Sequence, residues 1–540
     1  MDQADPRRQR QEQRVRERAS RGDQHAPPLL ADNRGGHPEK VRRMSPWCRP
    51  ILADRVITMM TTERRRRYAA LLTGLTLASL TWPAPAAARE PLWRDCAGRD
   101  LPADMRCATI EVPVDWAEAG GPRITLDLVR LPATEPARRI GSVLGVPGGP
   151  GASGVEDLKR AAAGLADLRR RFDLVAYDPR TSVWLDRLPP ACLEPATTLS
   201  EPVSRTDYRA LTEAMAAGFA ACREADTTGL FATMDSLSVA KDMDAIRRAL
   251  GEERLSFMAN SYGGAPAVAY ARLFPRRIRA MYLDGTANHV DGWLTQTLRT
   301  LPVMEETLTR FAAWCAATPA CALHGQDVKA VWRELTEGAD RTPIRVTSPH
   351  FGEGELTGWH LRSFGFTADP GPGNARWSAF ADAIAKAVRG DGSGFADAAL
   401  GNARAWATPG ALAMTCGDGR GYTGYAQLEE FRRQARQASP NFGGAAFDAL
   451  GCTGWPLRVA NPPRPLPTRE LPPLLGAGSM WGDYVWTESL IRKVPGSVTV
   501  GYDGPGHALY LWGKKCPIRY ATTYLTDLRL PPPGTVCPAE

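Results

Sequence analysis

The stretch Leu255-Ser-Phe-Met-Ala-Asn-Ser-Tyr-Gly-Gly264 decides the fold. It begins as a short apolar strand, and residues 265–274 after it have the composition of a buried helix. A serine on a tight strand-to-helix turn needs small residues two positions before and after it, because its backbone is strained and its neighbours approach closely. Ala259 and Gly263 meet that need. The stretch therefore predicts that Ser261 is a nucleophile at the end of a strand.

Strands and helices alternate on either side of this turn. Such alternation predicts an α/β fold with a mostly parallel central sheet, helices on both of its faces, and functional loops at the carboxyl ends of its strands. The predicted strands span residues 108–115, 124–131, 142–146, 172–177, 255–258 and 278–283, and a helix spans residues 236–250.

The pattern changes after residue 288. Helical stretches such as 301–314 and 375–388 follow with few strand signals, which favours a helical cap inserted over the carboxyl edge of the sheet. Strand and helix signals return at residues 473–475, 484–494, 498–502 and 519–528. We therefore divide the body into a first core part at 89–288, a cap at 289–410 and a second core part at 411–540.

A histidine near the end of the chain is the candidate general base. In hydrolases with a serine on such a turn, the acid and then the histidine follow the nucleophile along the chain. Asp503-Gly-Pro-Gly-His507 comes directly after the strand predicted at 498–502. A flexible loop there could bring the imidazole of His507 to Ser261.

A glycine-rich loop is the candidate oxyanion hole. Val146-Pro-Gly-Gly-Pro-Gly-Ala-Ser-Gly154 follows a predicted buried strand, and glycines allow bare backbone to approach a reacting group. We expect one N–H donor from this loop, at Gly149, and the other from Tyr262. The loop lacks the Gly-Lys-Ser/Thr ending of a phosphate-binding loop.

These motifs, together with Phe172-Asp-Leu-Val-Ala-Tyr-Asp-Pro-Arg180, resemble the prolyl and tripeptidyl aminopeptidase family of secreted α/β hydrolases, over about residues 92–537. The resemblance implies a serine exopeptidase that removes short peptides or single residues, often proline, from free N-termini. It implies a peptide substrate, a helical cap that restricts access, and neither a metal nor an organic cofactor.

The chain departs from the family pattern in three places. Ala259 replaces a glycine, and Asp178-Pro-Arg-Thr-Ser-Val183 lacks both glycines of the family's Asp-x-Arg-Gly-x-Gly turn, so that loop should run differently. In Leu474-Leu-Gly-Ala-Gly-Ser-Met-Trp-Gly-Asp483, the position of the family's triad aspartate falls on Ser479 or Trp481.

The missing aspartate leaves the triad acid open. Asp483 lies a few residues later in the same loop, and Asp284 ends the strand predicted after the nucleophile's helix. We favour Asp483, with Asp284 as the alternative. A third possibility is that no acid is present and the enzyme is crippled or inactive.

Two other functions are compatible with the motifs. A carboxylester hydrolase would use the same chemistry with a different cap, and a noncatalytic binding protein would explain the missing acid and the altered Asp-Pro-Arg loop. Recognition of a free amino terminus calls for acidic side chains near the cap. Glu353, Glu355 and Asp418 are candidates, although carboxylates of this kind more often carry solvated surface charge. The sequence does not determine which substrate residue the enzyme prefers or what its oligomeric state is.

The charge distribution speaks against a nucleic-acid partner. The 540 residues contain 67 Lys and Arg against 59 Asp and Glu, a formal charge of +8. Residues 1–67 hold 17 of the former and 9 of the latter, so the remaining chain is balanced at 50 of each. The excess of positive charge belongs to a basic leader, and no apolar run is long enough for a membrane anchor.

The N-terminal region predicts export. Four arginines at 64–67, an apolar stretch at 68–80 and a run rich in Ala and Pro ending at Ala88 form a signal peptide at 59–88, cleaved before Arg89. Both general secretion and twin-arginine export are compatible with it. Residues 1–58 are interpreted as a disordered leader, and we expect translation to start at Met59 or Met60. The destination is extracellular or periplasmic.

Cysteine usage agrees with export. Apart from Cys48 in the leader, ten cysteines form an even set without a Cys-x-x-Cys motif, which favours disulfides over zinc. We predict that sequential neighbours pair: Cys96 with Cys107, Cys192 with Cys222, Cys315 with Cys321, Cys416 with Cys452, and Cys516 with Cys537.

Overall fold

The structure is a computed structural model, and it describes residues 91–96, 99–118, 120–366, 369–443 and 449–540. The predicted leader, signal peptide and cleavage before Arg89 lie outside these residues and stay predictions. Within the described part of the chain, no helix is both long enough and apolar enough to cross a bilayer.

The main sheet has ten strands in the described residues, in the order β1-β2-β3-β5-β4-β6-β7-β10-β11-β12. Six neighbouring pairs are parallel, and the three pairs at the β1 end are antiparallel. The predicted mostly parallel sheet is therefore confirmed. Its strands are β1 Arg94–Asp95, β2 Arg106–Pro113, β3 Arg123–Leu131, β4 Gly141–Val146, β5 Phe172–Tyr177, β6 Leu255–Asn260, β7 Ile278–Asp284, β10 Leu475–Ser479, β11 Val498–Asp503 and β12 Val536–Pro538.

Helices cover both faces of the sheet, as predicted. Alternate residues of β7 point to two separate apolar cores: Met281 and Leu283 to one, Ala280 and Tyr282 to the other. Burial on both faces explains why the central strands have near-continuous apolar sequences. The core helices are α1 Gly154–Ala161, α2 Ala166–Arg169, α3 Arg180–Leu185, α4 Pro190–Leu193, α5 Arg205–Ala225, α6 Ser236–Ala249, α7 Gly264–Leu273, and, near the C-terminus, Tyr484–Ile491 and Lys515–Asp527.

The cap segment is mostly helical and also contains a two-stranded antiparallel sheet that the sequence did not predict. Its strands are β8 Ile344–Ser348 and β9 Gly352–Leu356. Two glycines and two glutamates give β9 a low strand propensity. The hairpin was therefore not recognisable from the sequence pattern. The helices are α8 Trp293–Ala317, α9 Val328–Arg341, α10 Gly358–His360, α11 Ala375–Ala387, α12 Ser393–Ala405, α13 Pro409–Gly417 and α14 Tyr425–Ala438; Tyr484–Ile491 and Lys515–Asp527 follow as α15 and α16.

The main sheet resumes only at β10. Helix α13 begins at Pro409 and crosses the cap boundary predicted at residue 410, and α14 follows it. That boundary stays a prediction. The structure pairs all ten cysteines of the body in the predicted sequential order, with Cα–Cα distances from 4.5 to 5.8 Å. One of these disulfides, Cys416–Cys452, ties the end of α13 to the segment that leads back to the sheet.

Candidate active site

Ser261 lies at the carboxyl end of β6, in a short 3-10 turn that leads into α7. Its φ of +50° is in the left-handed region, which residues other than glycine rarely adopt. The turn is held by close packing: a Cβ on Gly263 would lie 2.4 Å from the carbonyl oxygen of Val146. The backbone N–H of Ala287 donates to the Ser261 carbonyl at 2.8 Å. The small residue predicted two positions after the serine is thus sterically required.

The glycine-rich loop after β4 packs directly against this turn. A Cβ on Gly148 would lie 2.5 Å from the Cβ of Ser261 and 2.8 Å from Oδ1 of Asn260, so only glycine fits. Gly149 has a φ of +104°, and a Cβ there would lie 2.8 Å from the backbone nitrogen of Ala152. The loop therefore lies directly beside Ser261, as the predicted oxyanion hole requires.

The segment in which the family's turn glycines are missing supports this loop. Pro179 caps α3, and Ser182 in that helix donates its hydroxyl to the carbonyl oxygens of Gly151 at 3.2 Å and Ala152 at 3.0 Å. This segment forms a helix, and its Ser182 hydroxyl holds the glycine loop. The missing glycines are visible in the sequence, but this contact is not.

Arg180 in the same segment is a structural residue. Its guanidinium is fully buried and binds Asp242 through two hydrogen bonds, at 2.7 and 2.8 Å. It also donates to the carbonyl oxygens of Val114 and Pro113. Arg180 thus joins α3 to α6 and to the end of β2, which anchors the helix that carries Ser182.

Tyr262, the second predicted oxyanion donor, has a buried side chain whose hydroxyl donates to Oδ2 of Asp418 at 2.7 Å. Burial, and then the nearby charge of Asp418, raises the pKa of Tyr262 well above its usual value. The phenol therefore stays neutral and keeps its proton for this bond. Asp418 holds the residue whose backbone N–H would face the developing oxyanion.

The expectation that Asp418 carries solvated surface charge is wrong. The residue is 3% exposed and lies at the end of α13. It accepts hydrogen bonds from the N–H and hydroxyl of Ser236 and from the amide of Asn461, in addition to Tyr262. Its oxygens are thus occupied by groups of the protein. Glu353 and Glu355 are exposed on β9 and line a cavity of about 420 Å³ between the cap and residues 198–200 of the core.

The structure pairs His507 with Asp483. Nδ1 of His507 lies 2.5 Å from Oδ2 of Asp483, with the histidine side chain 21% exposed and the aspartate 1% exposed. The other carboxylate oxygen accepts from the backbone N–H of Ser479 at 2.8 Å. Gly285 makes room for this carboxylate, since a Cβ there would lie 2.2 Å from Oδ2. The sequence did not identify that requirement.

Asp284, the alternative acid, faces other groups. It is fully buried, and its Oδ2 accepts from the hydroxyl of Tyr282 at 3.0 Å and from the backbone N–H of Tyr510 at 2.9 Å. Burial, and then the charge of Asp483, raises its pKa to about 6. Of the two candidate aspartates, Asp483 is the one with a hydrogen bond to the histidine.

Sheet topology explains how these distant residues come together. The strands β4, β6, β7, β10 and β11 are consecutive neighbours and all parallel, so their carboxyl ends share one edge. The glycine loop, the serine, Gly285, the acid loop and the histidine loop follow these strands in that spatial order. Within the described residues, no group of three or more His, Cys, Asp or Glu side chains is arranged to hold a metal ion.

A serine on a strand-to-helix turn, a glycine loop against it and a buried carboxylate–histidine pair on the same edge define a serine hydrolase of the α/β-hydrolase fold. Residues 141–378 match the family model of the alpha/beta hydrolase fold, and residues 439–537 match that of the TAP-like protein. The chain thus has an alpha/beta hydrolase region followed by a TAP-like region, which supports the family resemblance seen in its motifs.

Curated relatives agree with this assignment. The serine protease Hip1 of Mycobacterium tuberculosis is 28% identical over 487 residues, 82% of this chain and 90% of the relative. The tripeptidyl aminopeptidase of Streptomyces lividans is 28% identical over 409 residues, 71% of this chain and 74% of the relative. Carboxylesterase B of M. tuberculosis is 30% identical over 292 residues, 49% of this chain and 53% of the relative.

Proposed function

We propose that the protein is an exported aminopeptidase that releases short peptides or single residues from free N-termini through an acyl-enzyme. The observation that carries the proposal is the hydrogen-bonded pair of Asp483 and His507 at the same carboxyl edge of the sheet as Ser261. The relatives named as a serine protease and a tripeptidyl aminopeptidase support peptide substrates. The five disulfides support an oxidising compartment.

The pair assigns the proton positions. An ionised carboxylate only accepts hydrogen bonds, so Nδ1 of His507 carries the proton that faces Asp483. The other ring nitrogen, Nε2, then takes the proton from the hydroxyl of Ser261 as its oxygen attacks the scissile carbonyl. Asp483 stabilises the resulting imidazolium and holds the ring in this orientation.

The remaining steps follow from the same groups. The backbone N–H groups of Gly149 and Tyr262 would stabilise the oxyanion of the tetrahedral intermediate. The amine leaves with the proton from His507, and the acyl group stays as an ester on Ser261. Water, deprotonated by His507, then hydrolyses that ester, and the released acid is the former N-terminal segment of the substrate.

Recognition of the free amine calls for a carboxylate that the protein has not already engaged. Asp418 is committed to Tyr262, Ser236 and Asn461, whereas Glu353 and Glu355 are exposed. Glu355 lies 3.8 Å from Arg345 across the hairpin, an exposed ion pair of little stability that a substrate amine could replace. Both glutamates lie on the cap hairpin. We therefore propose that the cap, rather than the core, selects the substrate's amino end.

A carboxylester hydrolase is the second candidate, because the relative named carboxylesterase B covers about half of this chain and the chemistry is shared. The noncatalytic interpretation rested on the missing acid and on the altered Asp-Pro-Arg loop. The contact between Asp483 and His507 weakens the first ground, and the support that Ser182 gives to the glycine loop weakens the second.

A substrate panel tests the proposal. The purified protein and its Ser261→Ala variant are assayed on proline and tripeptide anilides and on short-chain esters. Turnover of an anilide that disappears in the variant supports the aminopeptidase, and turnover of esters alone supports the esterase. If nothing is turned over and a serine-directed phosphonate does not label Ser261, both enzyme functions are overturned. N-terminal sequencing of exported protein tests cleavage before Arg89.

A further inference from the structure

The loop that carries Asp483 is fastened to the loop that carries His507. The hydroxyl of Ser479 donates to the carbonyl oxygen of Gly504 at 2.6 Å, and the indole N–H of Trp481 donates to Oδ1 of Asp503 at 3.3 Å. Trp481 also donates its backbone N–H to the hydroxyl of Ser479 at 3.1 Å. The loop that carries Asp483 (the acid loop) and the loop that carries His507 (the histidine loop) therefore move together only while these hydrogen bonds hold.

The ring of Trp481 also contacts the cap. It stacks on Trp377 of α11 with ring centroids 6.2 Å apart and planes inclined by 10°. The guanidinium of Arg310, in α8, lies 4.8 Å from the centroid of the Trp481 ring. Both geometries are within the range of attractive aromatic and cation–π contacts.

On the cap side, Trp377 is a fixed platform. It is 4% exposed and packs against two further aromatic rings of α8, Phe311 at 5.8 Å and Trp314 at 5.6 Å between centroids. Trp481 thus lies between this buried aromatic cluster and two loops of the site. Its position is also one of the two where the family pattern has its aspartate, so the contact accompanies the displacement of the acid to Asp483.

We propose that Trp481 is a positioning residue that couples the cap to the triad, so that the pairing of Asp483 with His507 depends on the cap being seated. The inference rests on the proposed function, since it requires that these two residues serve Ser261. A cap that shifts away from the core removes the stack on Trp377, frees the acid loop and lowers the reactivity of Ser261.

The test compares changes on the two sides of the stack. We expect Trp481→Leu and Trp377→Leu each to lower kcat by about tenfold or more with less than about a threefold change in KM, because a small displacement of catalytic groups is costly. Trp481→Leu also removes the hydrogen bond to Asp503 and the contact with Arg310, so it should be the slower single variant, and the double variant should be no slower than it because both changes break the same stack. Trp481→Phe keeps a ring for the stack and should recover most of the activity.

Controls separate coupling from simple destabilisation. Phe364→Leu removes a half-buried aromatic ring of the cap that contacts Trp359 and lies outside the hairpin, and it should leave kcat unchanged. Thermal melting of each variant shows whether the fold persists at the assay temperature. The rate at which a phosphonate labels Ser261 gives a readout that does not depend on knowing the natural substrate, and it should fall in parallel with kcat.

The outcomes are distinct. Multiplying effects of the two Leu variants, or an unchanged labelling rate in folded Trp377→Leu, would overturn the coupling and leave the proposed hydrolase intact. If the parent protein shows neither turnover nor labelling, the proposed function fails, and the inference fails with it because no working triad exists to be positioned.

Discussion

At the scale of single residues, Asp483 and Asp284 lie close enough to influence each other, yet they have different surroundings. Asp483 contacts the imidazole of His507, and Asp284 accepts from Tyr282 and from the backbone of Tyr510. Their positions at the same edge of the sheet do not show which one is the triad acid. The hydrogen-bond partners of each carboxylate do, and a comparison of the two Asn variants tests the assignment.

We expect Asp483→Asn to lower kcat by about three to four orders of magnitude, because the amide would favour the wrong tautomer of His507. Asp284→Asn is the matched control: it keeps an oxygen for Tyr282 and Tyr510 and should stay within about tenfold of the parent. Steady-state kinetics on the best substrate of the panel measure both. A loss below about a hundredfold in Asp483→Asn would remove it from the triad.

A second residue-scale prediction concerns Ser182. Ser182→Ala removes the hydroxyl that binds the carbonyl oxygens of Gly151 and Ala152, so the glycine loop should lose part of its order. We expect kcat to fall by about three- to thirtyfold with little change in KM, since the oxyanion hole acts in the transition state. Ser182→Thr keeps the hydroxyl and is the control; equal kinetics for the alanine variant and the parent would contradict the assigned contact.

At the scale of elements, the N-terminus of α6 gathers two carboxylates. Asp235 is the N-cap, with its side chain accepting from the N–H of Ser238, and Asp418 accepts from the N–H of Ser236. The positive end of a helix favours such anions. Burial nevertheless outweighs the favourable effect of the helix end on the Asp235 carboxylate. Burial, and then the charge of Asp418, raises the pKa of Asp235 from 3.8 to about 6.

The sign of the pH dependence follows. A carboxyl whose pKa is higher in the folded protein contributes stability below its unfolded pKa, and this contribution is lost as the pH rises through about 6. Asp235→Asn keeps a good cap without that titration. Its stability relative to the parent should therefore improve between pH 4 and pH 7, by at most about 3 kcal/mol for a shift of roughly two pKa units.

Urea unfolding of both proteins at each pH measures the difference. Subtracting the parent cancels most other titrating groups. The prediction fails if the free energy of unfolding of the Asn variant relative to the parent is constant between pH 4 and pH 7, or falls as the pH rises. Either result would show that Asp235 does not titrate as its burial implies.

At the scale of the whole molecule, the disulfide between Cys416 and Cys452 closes a loop with a sequence separation of 36 and holds the end of α13, where Asp418 begins its contact with Tyr262. Replacing both cysteines by alanine should destabilise the protein by about 4 kcal/mol on the chain-entropy estimate, and kcat should also fall because Tyr262 loses its support.

The pair Cys315 and Cys321 is the matched control. Its sequence separation is only 6, so the same replacement should cost about 2 kcal/mol and spare the catalytic rate. Urea unfolding under fixed redox conditions and kinetics of the two double variants give the comparison. Equal stability losses, or unchanged kcat after removal of the Cys416–Cys452 bond, would contradict this ranking.

Much of the core could be predicted because its signals are local. Strand β6, the turn at Ser261 and helix α7 follow from adjacent residues, and the five cysteine pairs follow from their order. The hairpin of β8 and β9 was missed because its second strand has weak propensity and forms through packing on the cap. Asp418 was misjudged because nothing in its neighbourhood along the chain reveals that three separate segments surround it.

The sequence by itself determined the α/β-hydrolase fold, the nucleophile turn at Ser261 and the histidine loop, because each depends on the steric demands of a few neighbouring residues. Only the tertiary structure decided that Asp483 faces His507, that Asp418 is buried beneath Tyr262 and that Trp481 reaches the cap. Those facts depend on which loops meet at the sheet's carboxyl edge. That meeting is set by strand order and packing across more than two hundred residues of chain, and no local pattern contains it.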